Sequence, residues 1–397
     1  MKQQLKRIVT PLALAMALTG CMSLAPKYER PAAPVAASFP AMPADGTNAV
    51  APGAEAPANI AWQRFFTDAR LQQLIQMALA NNRDLRISVL NIEQARAAYR
   101  IRRADVLPTV SAAVTGDRRT TGDESINSVY SAGLAVSQFE LDLFGRVRSL
   151  SNAALAQYLA TEEARKSAQI SLVASVANAY LALLADDELI ALTRQTLATR
   201  EESLKLVQLK YENGVISKLD LQQAQSLVET ARVALAQQQR QRAQDANLLT
   251  LLVGQPIPEN LPAGATLAQT LLSELPAGLP SDLLAVRPDI RAAEQQLISA
   301  NANIGAARAA FFPRIALTGT AGSASNELSG LFKSGTWGWT FSPQAILPIF
   351  DYGRNSANLA SAKAGRDIAV AQYERAIQTA FREVSDALAG QATLSEQ

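Results

Sequence analysis

The chain has 397 residues, 48% of them hydrophobic and 18% charged, which is enough apolar content for a sizeable core and unlike a disordered chain. Its formal charge of +2 is scattered along the sequence, so nothing points to nucleic acid as a partner. It has no histidine and one cysteine, which excludes Ser-His-Asp and Cys-His nucleophiles, His-based metal sites, an internal disulfide and a thiolate cluster. None of the motifs G-x-S-x-G, G-x-G-x-x-G or G-x-x-x-x-G-K-[ST] occurs, and no catalytic residue, metal or cofactor is expected.

At the N-terminus Lys2, Lys6 and Arg7 precede an apolar run from Ile8 to Leu18, and LTGC ends at Cys21. The run is too short to cross a bilayer. It resembles a bacterial lipoprotein signal, with residues 1–20 as signal peptide and Cys21 acylated on its thiol and new amino group. Several acyl chains make a stable anchor, at about 0.8 kcal/mol per buried methylene. Neither Met22 nor Ser23 is acidic, whereas that resemblance makes an Asp after the cysteine the inner-membrane retention signal; the outer membrane is the expected address. Residues 21–59 form a Pro/Ala-rich arm with Pro26, Pro31, Pro34, Pro40, Pro43, Pro52 and Pro57. Fixed φ angles and missing donors there oppose helix and favour an extended arm, either a spacer or a strap along a neighbouring surface.

After Trp62 the pattern is helical. No Pro or Gly occurs from Arg146 until Gly214, and Leu183, Ile190, Leu197, Leu204 and Tyr211 recur at intervals of seven. The next helix carries Leu221, Ala224, Val228, Ala231 and Leu235 at spacings of three and four, the seam of a coiled coil. Between them YENGVISKLD reads as a hairpin tip, with Gly214 at the C-cap and Ser217 as the next N-cap.

The two halves repeat. The segment from Arg83 matches that from Pro288, with Asp84 on Asp289, Arg86 on Arg291, Arg103 on Arg308 and Pro108 on Pro313; Gly145 then falls on Gly353. Each half reads helix, proline, two alternating stretches, Gly-Arg, long helix. In those stretches Trp337, Trp339 and Phe341 alternate with Thr336, Gly338, Thr340 and Ser342, and Tyr130, Ala132, Leu134 and Val136 with Ser131, Gly133 and Ala135. Val110, Ala112 and Val114 alternate with Ser111 and Ala113, and Ile315 and Leu317 with Ala316 and Thr318. Taken alone, TWGWTFS is an ordinary half-buried strand. Joined to the lipoprotein signal, the repeated hairpin and the long helices, it reads as transmembrane β-strand, with Tyr130, Leu134, Val136, Trp337, Trp339 and Phe341 facing lipid. A Ser at Gly133, on the other face, is expected to be tolerated.

With LTGC, WQRFFTDARLQQL, RDLR, ADVLPTV, FELDLFGRVR, YENGVISKLDL, VRPDIRAAEQQL, AAFFPRIALTG and LPIFDYGR, the chain resembles the TolC/OprM outer-membrane factor family, in its lipoprotein branch of efflux-pump outlets. The resemblance covers nearly all of Met1 to Gln397. It implies a mixed α and β fold in a homotrimer, where each subunit gives four strands to one shared barrel and long coiled-coil helices to a periplasmic tunnel. It also implies a passive, non-catalytic exit duct for drugs and other small molecules, held in the outer membrane of a Gram-negative bacterium. An inner-membrane transporter would move the substrates, and a periplasmic adaptor would meet the helical tips. Gly214, Val215, Ile216 and Ser217 match the family's tip motif and become the adaptor-contact candidates, although capping alone also accounts for Gly214 and Ser217.

The expected organisation is a first repeat over 60–260, with a β-hairpin at 107–142 and a helical hairpin at 146–253. A second repeat over 261–397 has a β-hairpin at 313–349 and a helix at 354–397. The second repeat reads as incomplete: Leu189 matches Gln397, and the roughly 64 residues from there to Val253 have no counterpart, as in a C-terminally truncated chain with its second tip and gate segment missing. The alternative function is a periplasmic coiled-coil adaptor lipoprotein, which would carry Gly-rich β halves and no repeated membrane hairpin. A lipid-anchored enzyme would have only the acidic run Asp186, Asp187, Glu188, which a solvated helix face explains better. Replacing Cys21 by Ser is expected to abolish incorporation of radiolabelled palmitate; persistent labelling would refute the lipoprotein signal.

Overall fold

The structure is a computed structural model and describes residues 23–36, 39, 60–120, 126–267, 269 and 286–394. The signal segment 1–20, Cys21 and most of the arm over 40–59 lie outside the described residues. In chain order the elements are α1 (Trp62–Phe65), α2 (Ala69–Asn81), α3 (Arg83–Ala104), β1 (Val110–Thr120), β2 (Ile126–Leu141), α4 (Arg146–Glu212), α5 (Lys218–Val253), α6 (Pro288–Ala309), β3 (Arg314–Ser325), β4 (Trp337–Ile346) and α7 (Arg354–Leu394). The chain divides into two compact units, and each draws segments from both halves of the sequence: one holds 23–36, 91–120, 126–163 and 286–386, the other 60–90, 164–267 and 387–394.

The second unit is built around α2. Its apolar positions Leu71, Leu74, Ile75 and Ala78 share one helix face and are buried against Val173, Val176, Ala177 and Tyr180 of α4 and Leu249 and Val253 of α5. Asp68 starts α2 as its N-cap, accepting from the Arg70 and Leu71 N–H groups at 2.6 and 3.0 Å. The same carboxylate accepts from the Tyr180 hydroxyl at 2.9 Å and the Ala265 N–H at 2.8 Å. One buried charge therefore ties α2, α4 and the segment after α5 together. Burial pushes the Asp68 carboxyl up, but the donors from Ala265, Leu71, Tyr180 and Arg70 outweigh it and hold the group below the usual carboxylate range. Asn82 does a similar job at the other end of α2: its side chain accepts from the Leu85 N–H and donates to the Leu252 carbonyl, both at 2.9 Å.

In the first unit α6 packs on α7 through Ile290, Leu297, Tyr373 and Ile377. The N-terminal arm settles the spacer-or-strap question for its described part, because residues 24–35 run along α6. Arg308 donates to the Leu24 carbonyl at 3.0 Å, Asn301 to the Pro26 carbonyl at 2.8 Å, and Glu294 accepts from the Tyr28 hydroxyl and the Arg30 guanidinium at 2.7 to 2.9 Å. Glu294, Asn301 and Arg308 stand seven apart, so they form one stripe on the helix. An extended chain from Leu24 to Arg30 covers about 20 Å, and the helix from Arg308 back to Glu294 covers about 21 Å. The two repeats match in length, which allows every contact at once.

Candidate functional site

Two features stand out in the fold: a single four-stranded sheet and the tip of the α4–α5 hairpin. The sheet has strand order β1-β2-β3-β4, all antiparallel, with β1 and β4 as its edges. Pairing sets which side chains share a face. Val110, Ala112 and Val114 lie opposite Val136, Leu134 and Ala132; Leu134 and Val136 lie opposite Ala321 and Gly319; and these lie opposite Trp339 and Phe341. Tyr130, Leu134, Val136, Trp337, Trp339 and Phe341, the six residues expected to face lipid, are therefore on one face. Trp337, Trp339 and Phe341 are 71%, 70% and 59% exposed in the single chain, so nothing in the subunit covers that face at β4. The opposite face is polar or small: Thr115 bonds Ser131 and Thr320 bonds Thr340, each at 2.6 Å across a strand pair.

Two details of the sheet were hidden in the sequence. Between Val136 and Phe139 the register moves by one residue, and Gln138 takes φ 53° at this bulge. The extra residue turns Phe139 and Leu141 onto the face that carries Leu134 and Val136, keeping it apolar to the foot of β2, where Phe139 lies opposite Leu317 and Leu141 opposite Ile315. Gly133 and Gly322 lie opposite each other on the polar face. A Cβ on Gly133 would lie 2.3 Å from the Ala321 carbonyl oxygen and 2.6 Å from the Gly322 Cα. The expectation that Ser is tolerated at Gly133 is thus corrected, because backbone that cannot yield occupies the space. Beneath the sheet Glu140 is bracketed by Arg146 and Arg314 at 2.6 Å each, joining the end of β2, the start of α4 and the start of β3.

At the hairpin tip, α4 ends in a Schellman turn: Gly214 has φ 70°, its N–H donates to the Tyr211 carbonyl and the Val215 N–H to the Lys210 carbonyl, both at 2.9 Å. Ser217 then caps α5 in a reciprocal box with Asp220. The four tip candidates are therefore adjacent on one turn: Val215 is 70% exposed, Ile216 is half-buried, and Gly214 and Ser217 are exposed and occupied in capping. Of the acidic run read as a solvated face, Asp187 and Glu188 are exposed, but Asp186 is only 6% exposed. The heptad positions place it on the side of α4 that meets α5. Among the described residues no group of three or more His, Cys, Asp or Glu is placed to hold a metal ion.

A four-stranded sheet with one apolar face, joined to helices of 67, 36 and 41 residues, matches one family of proteins. The model of that family, described as "Outer membrane efflux protein", matches residues 74–255 and 279–397. The chain belongs to the outer membrane efflux protein family. It is 52% identical over 399 residues to the probable efflux pump outer membrane protein TtgC of Pseudomonas putida, covering 99% of this chain and 82% of that protein. It is 49% identical over 397 residues to the outer membrane protein OprJ of Pseudomonas aeruginosa, covering 98% of this chain and 81% of that protein. Among solved structures it resembles the open-state MtrE outer membrane channel of Neisseria gonorrhoeae, with a TM-score of 0.84 and 43% identity over 94% of this chain and 83% of that one. A membrane protein from Pseudomonas aeruginosa gives the same TM-score at 48% identity, over 94% of this chain and 85% of that one. The chain is an outer-membrane channel component of an efflux pump, in a family of transport ducts found in Gram-negative outer membranes.

The two faces of the sheet give opposite expectations for a charge. Leu134→Arg is expected to cost about 2 to 4 kcal/mol of assembly free energy in the membrane and to deplete the assembled protein on a native gel. Ser111→Arg, on the polar face, should leave its amount near wild type. Gly133→Ser should behave like Leu134→Arg although it adds no charge. Equal amounts for all three variants would mean that the faces are assigned wrongly.

Proposed function

We propose that three copies of this four-stranded sheet close one barrel, that the apolar face meets lipid, and that drugs and other small molecules leave the periplasm through its polar interior. The observation that carries this reading is the sheet itself, apolar on one face from β1 to β4 and open at both edges. In hydrocarbon an unpaired edge is untenable, since each unmet N–H or C=O costs several kcal/mol, on the order of a whole hydrogen bond in an apolar medium. Only closure removes the edges.

The internal repeat then sets the register of the seam. Val110 lies opposite Val136 in the first hairpin as Ile315 lies opposite Ala345 in the second, which relates the strands of the two hairpins residue by residue. Carrying the Gly133–Gly322 pairing of β2 and β3 onto β4 and the β1 of the next copy places Ser342 opposite the neighbour's Asp117. In a chain carrying both Ser342→Cys and Asp117→Cys, oxidation should link subunits into covalent dimers and trimers. The pair Ser342→Cys with Thr115→Cys, slipped by two residues, should not. No cross-link, or preference for the slipped pair, would overturn the seam.

On the same reading Cys21 is acylated and the strap on α6 determines where the acyl chains enter the membrane. Leu24 is three positions after Cys21, so the anchor lies within about 11 Å of Leu24 along the chain, next to Arg308 and a short step from the foot of β3. The tip residues Gly214, Val215, Ile216 and Ser217 would meet a periplasmic adaptor, which in turn couples to an inner-membrane transporter. The exposed Val215 on a turn held by its own hydrogen bonds supports this, because a rigid apolar knob suits a partner's groove at little ordering cost. Val215→Asp is expected to abolish drug resistance in a strain lacking its own outlet while leaving the amount of assembled protein unchanged. Retained resistance would remove Val215 from the contact.

A further inference from the structure

The junction from strand to helix occurs twice in the chain, at β2–α4 and at β4–α7, and its two copies meet different surroundings. In the first, Phe144 stacks on Phe312 with ring centroids 4.7 Å apart, and Gly145 beside it is buried. In the second, the internal repeat puts Tyr352 at the position of Phe144, as it puts Gly353 at that of Gly145. It also puts Leu107 at the position of Phe312, as it puts Pro108 at that of Pro313. Here nothing is covered: Tyr352 is 92% exposed, Leu107 is 71% exposed, and Gly353 is exposed as well. Ile349 and Phe350 extend the bare surface, at 93% and 84%. Tyr352 moreover lies in the left-handed region at φ 55°, which is uncommon for a bulky residue. The Asp351 carboxylate fixes this turn by accepting from the Gly353 and Asn355 N–H groups at 3.0 and 2.8 Å. The Tyr352 ring meets Phe350 edge to face, with centroids 6.1 Å apart, and otherwise points away from its own chain.

Given the closed barrel proposed above, on which this contact rests, we propose that the bare ledge docks on a second copy of the chain, with Tyr352 on the neighbour's Leu107 as Phe144 is on Phe312. Register brings the two together. The seam that sets Ser342 opposite the neighbour's Asp117 is antiparallel; Tyr352 lies ten residues after Ser342, and Leu107 lies ten before Asp117. Continuing past the strand ends is what the fold does at its own β2–β3 junction, where Phe144 and Phe312 stack three residues beyond the paired Leu141 and Ile315. Chemistry points to the same partner. The junction within the subunit is clamped by Glu140 between Arg146 and Arg314, but the repeat puts Pro348 at the position of Glu140 and Thr109 at that of Arg314, so this clamp has no counterpart across the seam. What the chain offers there is apolar on both sides: Ile349, Phe350 and Tyr352 on one copy, Leu107 on the next. The turn locked by Asp351 presents a ring that is already fixed, so docking costs little ordering. A side chain held in the left-handed region marks a site that its surroundings determine, and at Tyr352 those surroundings are complete only in the assembly.

The test places a photoreactive aromatic, p-benzoylphenylalanine, at position 352 of the full chain in outer membranes. Irradiation should convert the chain into covalent dimers and trimers on a denaturing gel, and mass spectrometry should map the cross-link to the neighbour's segment around Leu107. In a gel series heated in detergent, Tyr352→Phe should dissociate at the wild-type temperature. Tyr352→Asp, Leu107→Asp and Tyr352→Gly should all dissociate at a lower one. The glycine variant separates a contact from a turn: glycine adopts φ 55° more readily than tyrosine does, so a role confined to the subunit's own turn predicts a gain in heat resistance, whereas docking predicts a loss. Wild-type or greater heat resistance in Tyr352→Gly, or a cross-link that maps to any other segment, would overturn the docking. The disulfide between Ser342→Cys and Asp117→Cys tells the two readings apart. If it forms while position 352 gives no cross-link to the neighbour, the barrel stands and the docking falls; if neither link forms, both fall.

Discussion

A β-sheet placed in hydrocarbon has no water to satisfy its edge groups, and this constraint governs the rest of the molecule. The four strands satisfy one another internally along three ladders, yet β1 and β4 each present a row of unpaired backbone groups. On the proposed reading a single subunit therefore lacks a complete membrane structure, whatever the stability of its helices. The features around the sheet serve the same constraint. The bulge at Gln138 keeps the foot of β2 apolar on the side that needs it, and the facing glycines Gly133 and Gly322 let β2 and β3 approach too closely for any side chain. Glu140, with a guanidinium on either side, ties the end of β2 to the starts of α4 and β3 at the boundary where strand gives way to helix.

The helical parts obey a different economy, because they are in water and must bury an apolar face to be stable. Each unit achieves this around one polar anchor. Asp68 accepts four hydrogen bonds and joins α2, α4 and the segment after α5, and Glu294 accepts from Tyr28 and Arg30 and holds the N-terminal strap on α6. Neither carboxylate is left with unmet demand, which is the condition under which a buried charge specifies one arrangement without destabilising it. Asp186 departs from that pattern: its Oδ2 is buried with no hydrogen-bond partner.

Much of this was legible in the sequence, because periodicity and capping are local. The seven-residue stripe from Leu183 to Tyr211, the absence of Pro and Gly from Arg146 to Gly214, and the Gly-Val-Ile-Ser turn determine two long helices and a sharp tip, and α4, α5 and the capped turn appear where those signals stand. Alternation in Tyr130 to Val136 and Trp337 to Phe341 likewise determines which residues share a face, since side chains of a strand alternate whatever the strand pairs with. The family resemblance rested on these same segments.

Contacts between residues far apart in the chain could be decided only in three dimensions. Nothing around Ser137 and Gln138 announces an extra residue, because a bulge is defined by the partner strand that counts one fewer. Gly133 looked replaceable by its alternation and proved to be filled by Gly322, nearly two hundred positions away. The composition of the arm left spacer and strap equally open, and residues 24–35 form a strap because Glu294, Asn301 and Arg308 present acceptor and donors at its own repeat length. The run Asp186, Asp187, Glu188 is uniform in the sequence, and packing alone buries the first residue and exposes the other two. Local pattern determined the elements and their faces; tertiary structure decided which polar groups lose water, since desolvation depends on what the chain brings alongside.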